Sequence, residues 1–144
     1  MFELKKTVAL VGMMGSGKSA IGKVVSSIIG VPFKDADVEI EQAAKLSIPE
    51  IFERHGEKFF RDKEDQIIKR LLREKCCILA TGGGAFMNKK IRASIKEQGV
   101  SVWLNADLET LWKRVKHKRT RPLLRTHNPK ETLVAILCAV RRLQ

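Results

Sequence analysis

The sequence predicts one α/β domain in which a parallel β-sheet is covered by helices on both faces. Short apolar runs alternate with helical patterns, and strands that alternate with helices favour a parallel sheet. The length of 144 residues and the apolar content of 44% suit one domain with one core. The predicted strands cover residues 7–11, 33–35, 76–80 and 100–104.

The first strand and the helix after it show this pattern most clearly. Residues 7–11 are a continuous run of β-branched and aliphatic side chains, which suits a central strand buried on both faces. The following helix, from about 18 to 29, is stopped by Gly30 and Pro32. Further helical patterns lie at 38–44, 57–74, 89–97 and 107–116, at a turn opened by Pro49, and from Pro129 onward, with Asp107 as an N-cap.

Composition excludes some classes of protein and leaves others open. No apolar run approaches the roughly 20 residues of a membrane span, and the first residues lack the order of a signal peptide, so a cytoplasmic location is expected. The three cysteines, Cys76, Cys77 and Cys138, are odd in number and are interpreted as buried apolar side chains rather than disulfides. The net charge of +12 suits either nucleic-acid binding or an enzyme that collects anions.

A glycine-rich motif connects the first strand to the first helix. Residues 12–19 read Gly-Met-Met-Gly-Ser-Gly-Lys-Ser, which fits G-x-x-x-x-G-K-[ST] at every fixed position. Glycines let the loop turn its N–H groups toward a phosphate, and the helix N-terminus adds a favourable dipole. Lys18 supplies a point charge to the outer phosphates, and the Ser19 hydroxyl can ligate Mg²⁺. The motif indicates a three-layer α/β/α P-loop NTPase fold that binds a nucleoside triphosphate.

The P-loop alone does not identify the phosphate acceptor. A GTPase would need an Asn-Lys-x-Asp base-reading motif, but residues 88–91 read Asn-Lys-Lys-Ile, and the chain contains no D-x-x-G switch. These two observations favour a small-molecule kinase over a switch or a motor.

Two acidic residues stand at the end of the second strand. Side chains at i and i+2 of a strand point the same way, and the carboxyl ends of parallel strands form the ligand crevice. Asp35 and Asp37 are therefore both expected to face the phosphate site, one holding a hydrated metal and the other hydrogen-bonding or deprotonating an acceptor hydroxyl. The alternative is that Asp37 only caps the helix at Val38.

Three weaker signals also lie beside predicted elements. Arg61, on a helix with an apolar stripe, could bind an anion or could only pair with Glu57 and Asp65 on the surface. The glycines at 82–84 offer bare N–H groups to an anionic substrate, or simply form a tight turn. The basic stretch 116–125 could close as a lid over ATP. It could also be a solvated loop or a nucleic-acid patch, although no aromatic residue is interleaved for base stacking.

Together these segments resemble the shikimate kinase family. Their order and spacing follow the family pattern from about Val8 to Arg141, and the combination is specific although only the P-loop is strong alone. The matching segments are residues 12–19, Asp35-x-Asp37, Gly56-Glu57-x-x-Phe60-Arg61, residues 82–84 and Arg121-Pro122-Leu123-Leu124. The resemblance implies ATP-dependent phosphorylation of the 3-hydroxyl of shikimate, in aromatic amino-acid biosynthesis, with ATP as co-substrate and Mg²⁺ as cofactor.

The resemblance also implies roles for the nucleotide-binding residues. Lys18 and Arg121, the latter from a lid at approximately 116–128, would reach the phosphates and assist catalysis. Ser19 would bind Mg²⁺, and Asp35 would support the metal through water. The phosphates of ATP would be bound by Gly15, Ser16, Gly17, Lys18, Ser19, Ala20 and Arg121.

On the acceptor side, the resemblance implies a site for a small hydroxylated acid. Asp37 would grip the shikimate hydroxyls and orient the nucleophile as a catalytic residue. Arg61 and Arg141 would clamp the carboxylate, with the Gly83 N–H assisting. Planar guanidinium groups suit this task because they can bind a carboxylate through two parallel hydrogen bonds.

The end of the chain departs from the family pattern. After the lid the family reads E-R-x-P-L-Y and continues for a few tens of residues, whereas here Val140 precedes Arg141 and the sequence finishes at Gln144. The expectation is a single domain of residues 1–144 that is truncated relative to the family. It would lack the fifth, edge strand and would show lower stability and slower turnover.

Alternative functions stay open on the sequence. The chain could be another P-loop metabolite kinase, for gluconate or a nucleoside monophosphate. It could also be a truncated nucleotide-binding domain with little activity, or a basic nucleic-acid partner. The interpretation that we adopt predicts a monomer that binds ATP and shikimate and binds neither nucleic acid nor a membrane.

Overall fold

A computed structural model of the protein describes residues 3–107 and, beyond them, residues 109, 110, 113, 128, 131 and 134. Within this part of the chain, four parallel strands form one sheet in the order β2-β3-β1-β4. The strands are β1 Thr7–Val11, β2 Phe33–Asp35, β3 Ile78–Ala80 and β4 Gly99–Trp103. The predicted parallel sheet of four strands is confirmed, with boundaries that differ by at most two residues.

The helices occupy the segments between the strands. They are α1 Lys18–Ile29, α2 Ala36–Ala44, α3 Ile48–Arg73 and α4 Lys89–Gln98, with a 3₁₀ turn at Ala85–Met87. Because side chains alternate along a strand, β1 contributes to a core on each face of the sheet. Ala9 and Val11 belong to the buried cluster that α2, α3 and α4 complete. Leu10 faces α1, where a Cβ on Gly22 would lie 3.1 Å from its Cδ1 atom.

The α2–α3 segment shows how local sequence positions the acidic residues and Arg61. Ser47 caps α3 in a reciprocal capping box with Glu50, and Pro49 stands in the first turn, as its helix-opening role predicts. Gly56, with φ of 83°, interrupts the helical backbone inside α3. An ion pair of 2.8 Å between Arg70 and Glu39 ties α3 to α2.

The structure tests the predictions for two of the cysteines, for the Asp107 cap and for membrane-spanning segments. Cys77 is buried, as expected, whereas Cys76 is only half-buried, and both are free thiols. The Oδ1 atom of Asp107 accepts a hydrogen bond of 2.8 Å from the N–H of Thr110, which confirms the predicted N-cap. None of the described helices is both long enough and apolar enough to cross a membrane. Cys138, the loop at 116–125 and most of the final helix lie outside the described residues.

Candidate active site

The phosphate-binding loop joins β1 to α1 at the carboxyl edge of the sheet. Its three glycines have positive φ angles, 150° at Gly12, 79° at Gly15 and 96° at Gly17. L-residues with a Cβ rarely adopt such angles, so glycine is required for the path of this loop. A Cβ on Gly12 would also lie 2.7 Å from the carbonyl oxygen of Leu104, because the loop packs on the end of β4.

Lys18 lies under the loop at the start of α1. Its side chain is buried, and Nζ donates hydrogen bonds of 2.8 Å to the carbonyl oxygens of Gly12 and Met13. The Ser16 N–H donates to the Met13 oxygen at 3.1 Å, which closes the turn. The ammonium group is therefore held within the loop that the sequence predicts will wrap the phosphates.

Asp35 connects the second strand to the phosphate-binding loop. One carboxylate oxygen, Oδ2, accepts a hydrogen bond of 2.7 Å from the Ser19 hydroxyl. The other, Oδ1, accepts the Asp37 N–H at 3.0 Å and caps α2. A hydroxyl beside a carboxylate is the donor set that Mg²⁺ prefers, with several ligand positions left to water. Among the described residues, no cluster of three or more acidic, His or Cys side chains could hold a metal ion.

The predicted geometry of Asp37 was wrong in one respect. We expected Asp35 and Asp37 at i and i+2 of one strand, but β2 ends at Asp35 and Asp37 lies in the first turn of α2. The alternative, in which Asp37 caps the helix at Val38, is also wrong because Asp35 is the N-cap. Asp35 and Asp37 nevertheless line the same cleft, although one ends the strand and the other lies on the helix that follows.

A cleft of about 530 Å³ brings the predicted residues together. The phosphate-binding loop forms one end of it, and Asp37 and Gly83 line it as well. Residues Gly15 to Ala20, Asp35, Asp37, Thr81 and Gly83 are among its lining residues. Nucleotide-binding and acceptor-binding candidates thus share one continuous space.

Arg61 lies beside the glycine turn that follows β3. A Cβ on Gly84 would stand 2.6 Å from Nη2 of Arg61, so the absence of a side chain there makes room for the guanidinium group. Arg61 pairs with Glu57 at 3.7 Å, as the ion-pair alternative predicted. The predicted pairing with Asp65 is wrong, because Asp65 faces Lys69 at 3.0 Å. The stronger partner of Arg61 is Glu64, at 2.8 Å between Nη1 and Oε1.

Glu64 is the site residue that sequence reasoning missed. Only 1% of it is exposed, and burial raises the pKa of its carboxyl group, with Asp37 and Asp65 adding to the rise and Arg61 opposing it. A signal was available, since Glu64 stands four residues after Phe60 and three before Ile67 on the apolar stripe of α3. An acid on such a stripe needs a buried partner, and Arg61 is that partner.

Two of the arginines predicted for the site belong to the C-terminal part of the chain. Arg121 and Arg141 lie outside the described residues, as does the proposed lid at 116–128 apart from Asn128. The other predicted site residues are all described, and all of them except Arg61 line the cleft.

Comparison with known proteins identifies the relatives of this chain. The family model for shikimate kinase matches residues 14–142. Shikimate kinase from Cereibacter sphaeroides is 61% identical over 137 residues, which cover 95% of this chain and 69% of that protein. Shikimate kinase from Ruegeria pomeroyi is 60% identical over 133 residues, which cover 92% of this chain and 68% of that protein.

Solved structures give the same relationship at the level of the fold. Shikimate kinase from Acinetobacter baumannii in complex with shikimate superposes with a TM-score of 0.92 at 36% identity, over 99% of this chain and 82% of that one. The Aquifex aeolicus enzyme gives 0.83 at 33% identity, over 95% and 80% of the two chains. A gluconokinase from Sinorhizobium meliloti, with a TM-score of 0.61 at 17% identity, shares the fold alone.

Proposed function

This chain belongs to the shikimate kinase family, and on that premise we propose that it transfers the γ-phosphoryl group of ATP to the 3-hydroxyl of shikimate. The product is shikimate 3-phosphate, on the route to aromatic amino acids. The observation that carries the proposal is the single cleft in which the phosphate-binding loop, Asp37 and Gly83 face one another. Phosphoryl transfer needs donor and acceptor close together, and a shared cleft supports this because residues proposed for both substrates line it.

At the nucleotide end, the loop residues 15–20 bind the phosphates through backbone N–H groups and the dipole of α1. Lys18 stabilises the negative charge that spreads over the transferring phosphoryl group. Its ammonium group lies within the loop, where it donates hydrogen bonds of 2.8 Å to the carbonyl oxygens of Gly12 and Met13.

The residues present also fit a magnesium ion. Ser19 would be a ligand of the ion, and Asp35, which accepts a hydrogen bond of 2.7 Å from the Ser19 hydroxyl, would support the ion through water. Bound Mg²⁺ neutralises charge on the outer phosphates. Because Asp35 also caps α2 through its other oxygen, the helix fixes the orientation of this carboxylate.

At the acceptor end, Asp37 binds the shikimate hydroxyls and orients the nucleophilic oxygen. That oxygen forms a bond to the γ-phosphorus while the bond to the bridging oxygen breaks and ADP leaves, and Asp37 accepts the hydroxyl proton. Arg61 and Arg141 bind the carboxylate of shikimate, with the Gly83 N–H as a further donor. Arg121, from a lid at approximately 116–128, contributes positive charge at the phosphates.

The test is a pyruvate kinase–lactate dehydrogenase coupled assay with Mg-ATP and shikimate, run beside gluconate and a nucleoside monophosphate. ADP formation with shikimate alone is expected. Arg61→Ala should raise the KM for shikimate at least about tenfold, the loss of one charge-assisted contact, with little change in the KM for ATP.

Arg70→Ala is the matched control, because Arg70 lies on the same helix and pairs with Glu39 away from the cleft. Its KM for shikimate should equal that of the parent chain. ADP formation with gluconate or a nucleoside monophosphate in place of shikimate would contradict the proposal.

The proposal extends to the state of the protein. We propose a single-domain cytoplasmic monomer that works on small molecules, without nucleic acid or membrane. Light scattering on an eluting peak should give one chain's mass of 16.3 kDa. Binding to RNA that survives about 150 mM salt would contradict the absence of a nucleic-acid partner, because non-specific phosphate contacts weaken steeply with salt.

A further inference from the structure

Glu64 is a buried acid with one oxygen in use and one without a partner. Its Oε1 atom accepts a hydrogen bond of 2.8 Å from Arg61. Its Oε2 atom is inaccessible to solvent and has no hydrogen-bond partner among the described residues. Buried polar atoms are normally paired, so an unpaired carboxylate oxygen beside a substrate cleft calls for a functional explanation.

The unpaired oxygen faces the second carboxylate of the site. A Cβ on Gly82 would lie 3.0 Å from Oε2 of Glu64 and 2.9 Å from Oδ1 of Asp37. Both oxygens therefore flank the same point, and the absence of a side chain on Gly82 allows them to approach. A Cβ at residue 82 would be in close contact with both acids.

The charges around Glu64 are unbalanced. Arg61 and Asp65 face it from α3, and Asp37 faces it from α2. Asp65 has its own partner in Lys69. Arg61 is the cation among these three neighbours, and its charge favours the ionised carboxylate, whereas burial and the two acids raise the pKa of Glu64 above the ordinary value of 4.5.

Binding of the substrate would weaken that attraction. The inference rests on the proposed function, in which the carboxylate of shikimate binds to Arg61. An incoming anion competes with Glu64 for the guanidinium charge and adds a third negative neighbour to the buried group. Both changes favour the neutral form of Glu64.

We propose that Glu64 takes up one proton when shikimate binds, so that it changes from the ion-pair partner of Arg61 into a neutral hydrogen-bond donor facing Asp37. The proton comes from solvent, bonds to Oε2 and returns to solvent when the ligand leaves. Arg61 is then free to pair with the substrate. The O–H directed at Oδ1 of Asp37 holds that carboxylate in place while its other oxygen contacts the shikimate hydroxyl. Glu64 acts through Arg61 and Asp37 and is a positioning residue.

Linkage fixes the sign of the pH dependence. Where binding takes up a proton, affinity falls as pH rises, by up to about tenfold per pH unit for one proton. The window lies between the pKa of Glu64 in the free enzyme and its higher value in the complex. Affinity becomes independent of pH below the first value and above the second.

The experiment is calorimetric titration of shikimate into the protein in PIPES and in Tris, at one pH and at several pH values around neutrality. These buffers differ strongly in ionisation enthalpy, so the difference in observed heat reports the protons taken up. Net uptake of up to one proton is expected, together with weaker binding at higher pH. Glu64→Gln, which keeps an acceptor for Arg61 but cannot ionise, should abolish both effects while still binding shikimate.

Glu57→Gln is the matched control, because Glu57 pairs with the same arginine but is exposed. It should retain the proton uptake. Equal heats in the two buffers for the parent chain, with normal ADP formation, would overturn the inference and leave the proposed function intact. Uptake that persists in Glu64→Gln would assign the proton to another group. Absence of both ADP formation and shikimate binding would overturn the proposed function, and this inference with it.

Discussion

At the scale of single residues, the site depends on acids that share one crowded edge of the sheet. Asp35 divides its two oxygens between Ser19 and the start of α2, and Asp37 lines the cleft. Glu64 is buried and forms an ion pair with Arg61. Three carboxylates of similar chemistry therefore have different tasks because burial and neighbours differ at each position.

The first prediction concerns Asp37. Asp37→Asn should lower kcat by about 10²–10⁴-fold, because the amide binds a hydroxyl but cannot accept its proton. The KM for ATP should change little. Asp62→Asn, an exposed acid on α3, is the control and should retain full activity. A kcat within twofold of the parent for Asp37→Asn would show that Asp37 only positions the hydroxyl.

The second prediction concerns Gly84, whose φ of −104° any residue can adopt. Gly84→Ala should lower the free energy of unfolding by about 1–3 kcal/mol, because a Cβ would displace the end of Arg61 that pairs with the buried Glu64. Displacing that end should raise the KM for shikimate, while the KM for ATP stays constant.

Gly83→Ala provides the contrast to Gly84→Ala. There a Cβ would lie 3.0 Å from the backbone nitrogen of Met14, within the phosphate-binding loop. Both KM values should therefore rise. Steady-state kinetics and urea unfolding of the two variants would check this pair of expectations, and identical kinetic profiles would contradict the distinct roles of the two glycines.

At the scale of elements, capping decides where the helices around the site begin. Asp35 starts α2 at the residue that ends β2, and Asn88 starts α4 through the N–H of Lys90. Ser47 and Glu50 start α3 reciprocally. The caps of α2 and α3 fix where the helices that carry Asp37, Arg61 and Glu64 begin, so local sequence determines part of the site geometry.

The third prediction tests the cap of α3. Ser47→Ala should lower the free energy of unfolding by about 1 kcal/mol, since the N–H of Glu50 loses its acceptor. Ser27→Ala is the same substitution at an exposed position inside α1, where alanine is the better helix former, and should cost nothing. Chemical denaturation curves would compare the two, and equal losses would show that the cap contributes no specific stability.

At the scale of the whole molecule, positive charge and fold combine to bind anions. The chain carries a net charge of +12, and the ion pairs among the described residues involve Lys34, Arg61, Lys69 and Arg70. Lys69 and Arg70 are exposed in their pairs, whereas Asp65 and Glu39 are half-buried. The excess of positive charge creates a field that attracts anions such as ATP and a carboxylate substrate.

The fourth prediction is that Mg-ATP stabilises the entire fold. At about one hundred times its Kd, the nucleotide should add about 2.7 kcal/mol and raise Tm by several degrees. Lys18→Met should remove most of this shift and also lower the Tm of the free protein, because Nζ holds the loop through two carbonyl oxygens. Differential scanning calorimetry with and without the nucleotide measures both effects. An undiminished shift in Lys18→Met would contradict the role of this lysine.

Local sequence patterns were sufficient to predict the parallel sheet, the positions of its strands along the chain and the phosphate-binding loop. Those features follow from local patterns: an apolar run for a buried strand, glycines where φ must be positive, and a lysine and a serine at fixed offsets. The same patterns singled out Asp35, Asp37, Arg61 and Gly83 as candidates.

The contacts among those candidate residues could be read only from the folded chain. Because β2 ends at Asp35, Asp37 lies on α2 and not on the strand. Arg61, on α3 beside the turn at residues 82–84, pairs with Glu64 and not with the expected Asp65. These contacts join residues that are distant in the chain, or depend on the rotation of a helix about its axis, and short-range patterns carry little information about either. The burial of Glu64 is likewise a property of the assembled core, because it depends on what packs against α3 as well as on its own sequence.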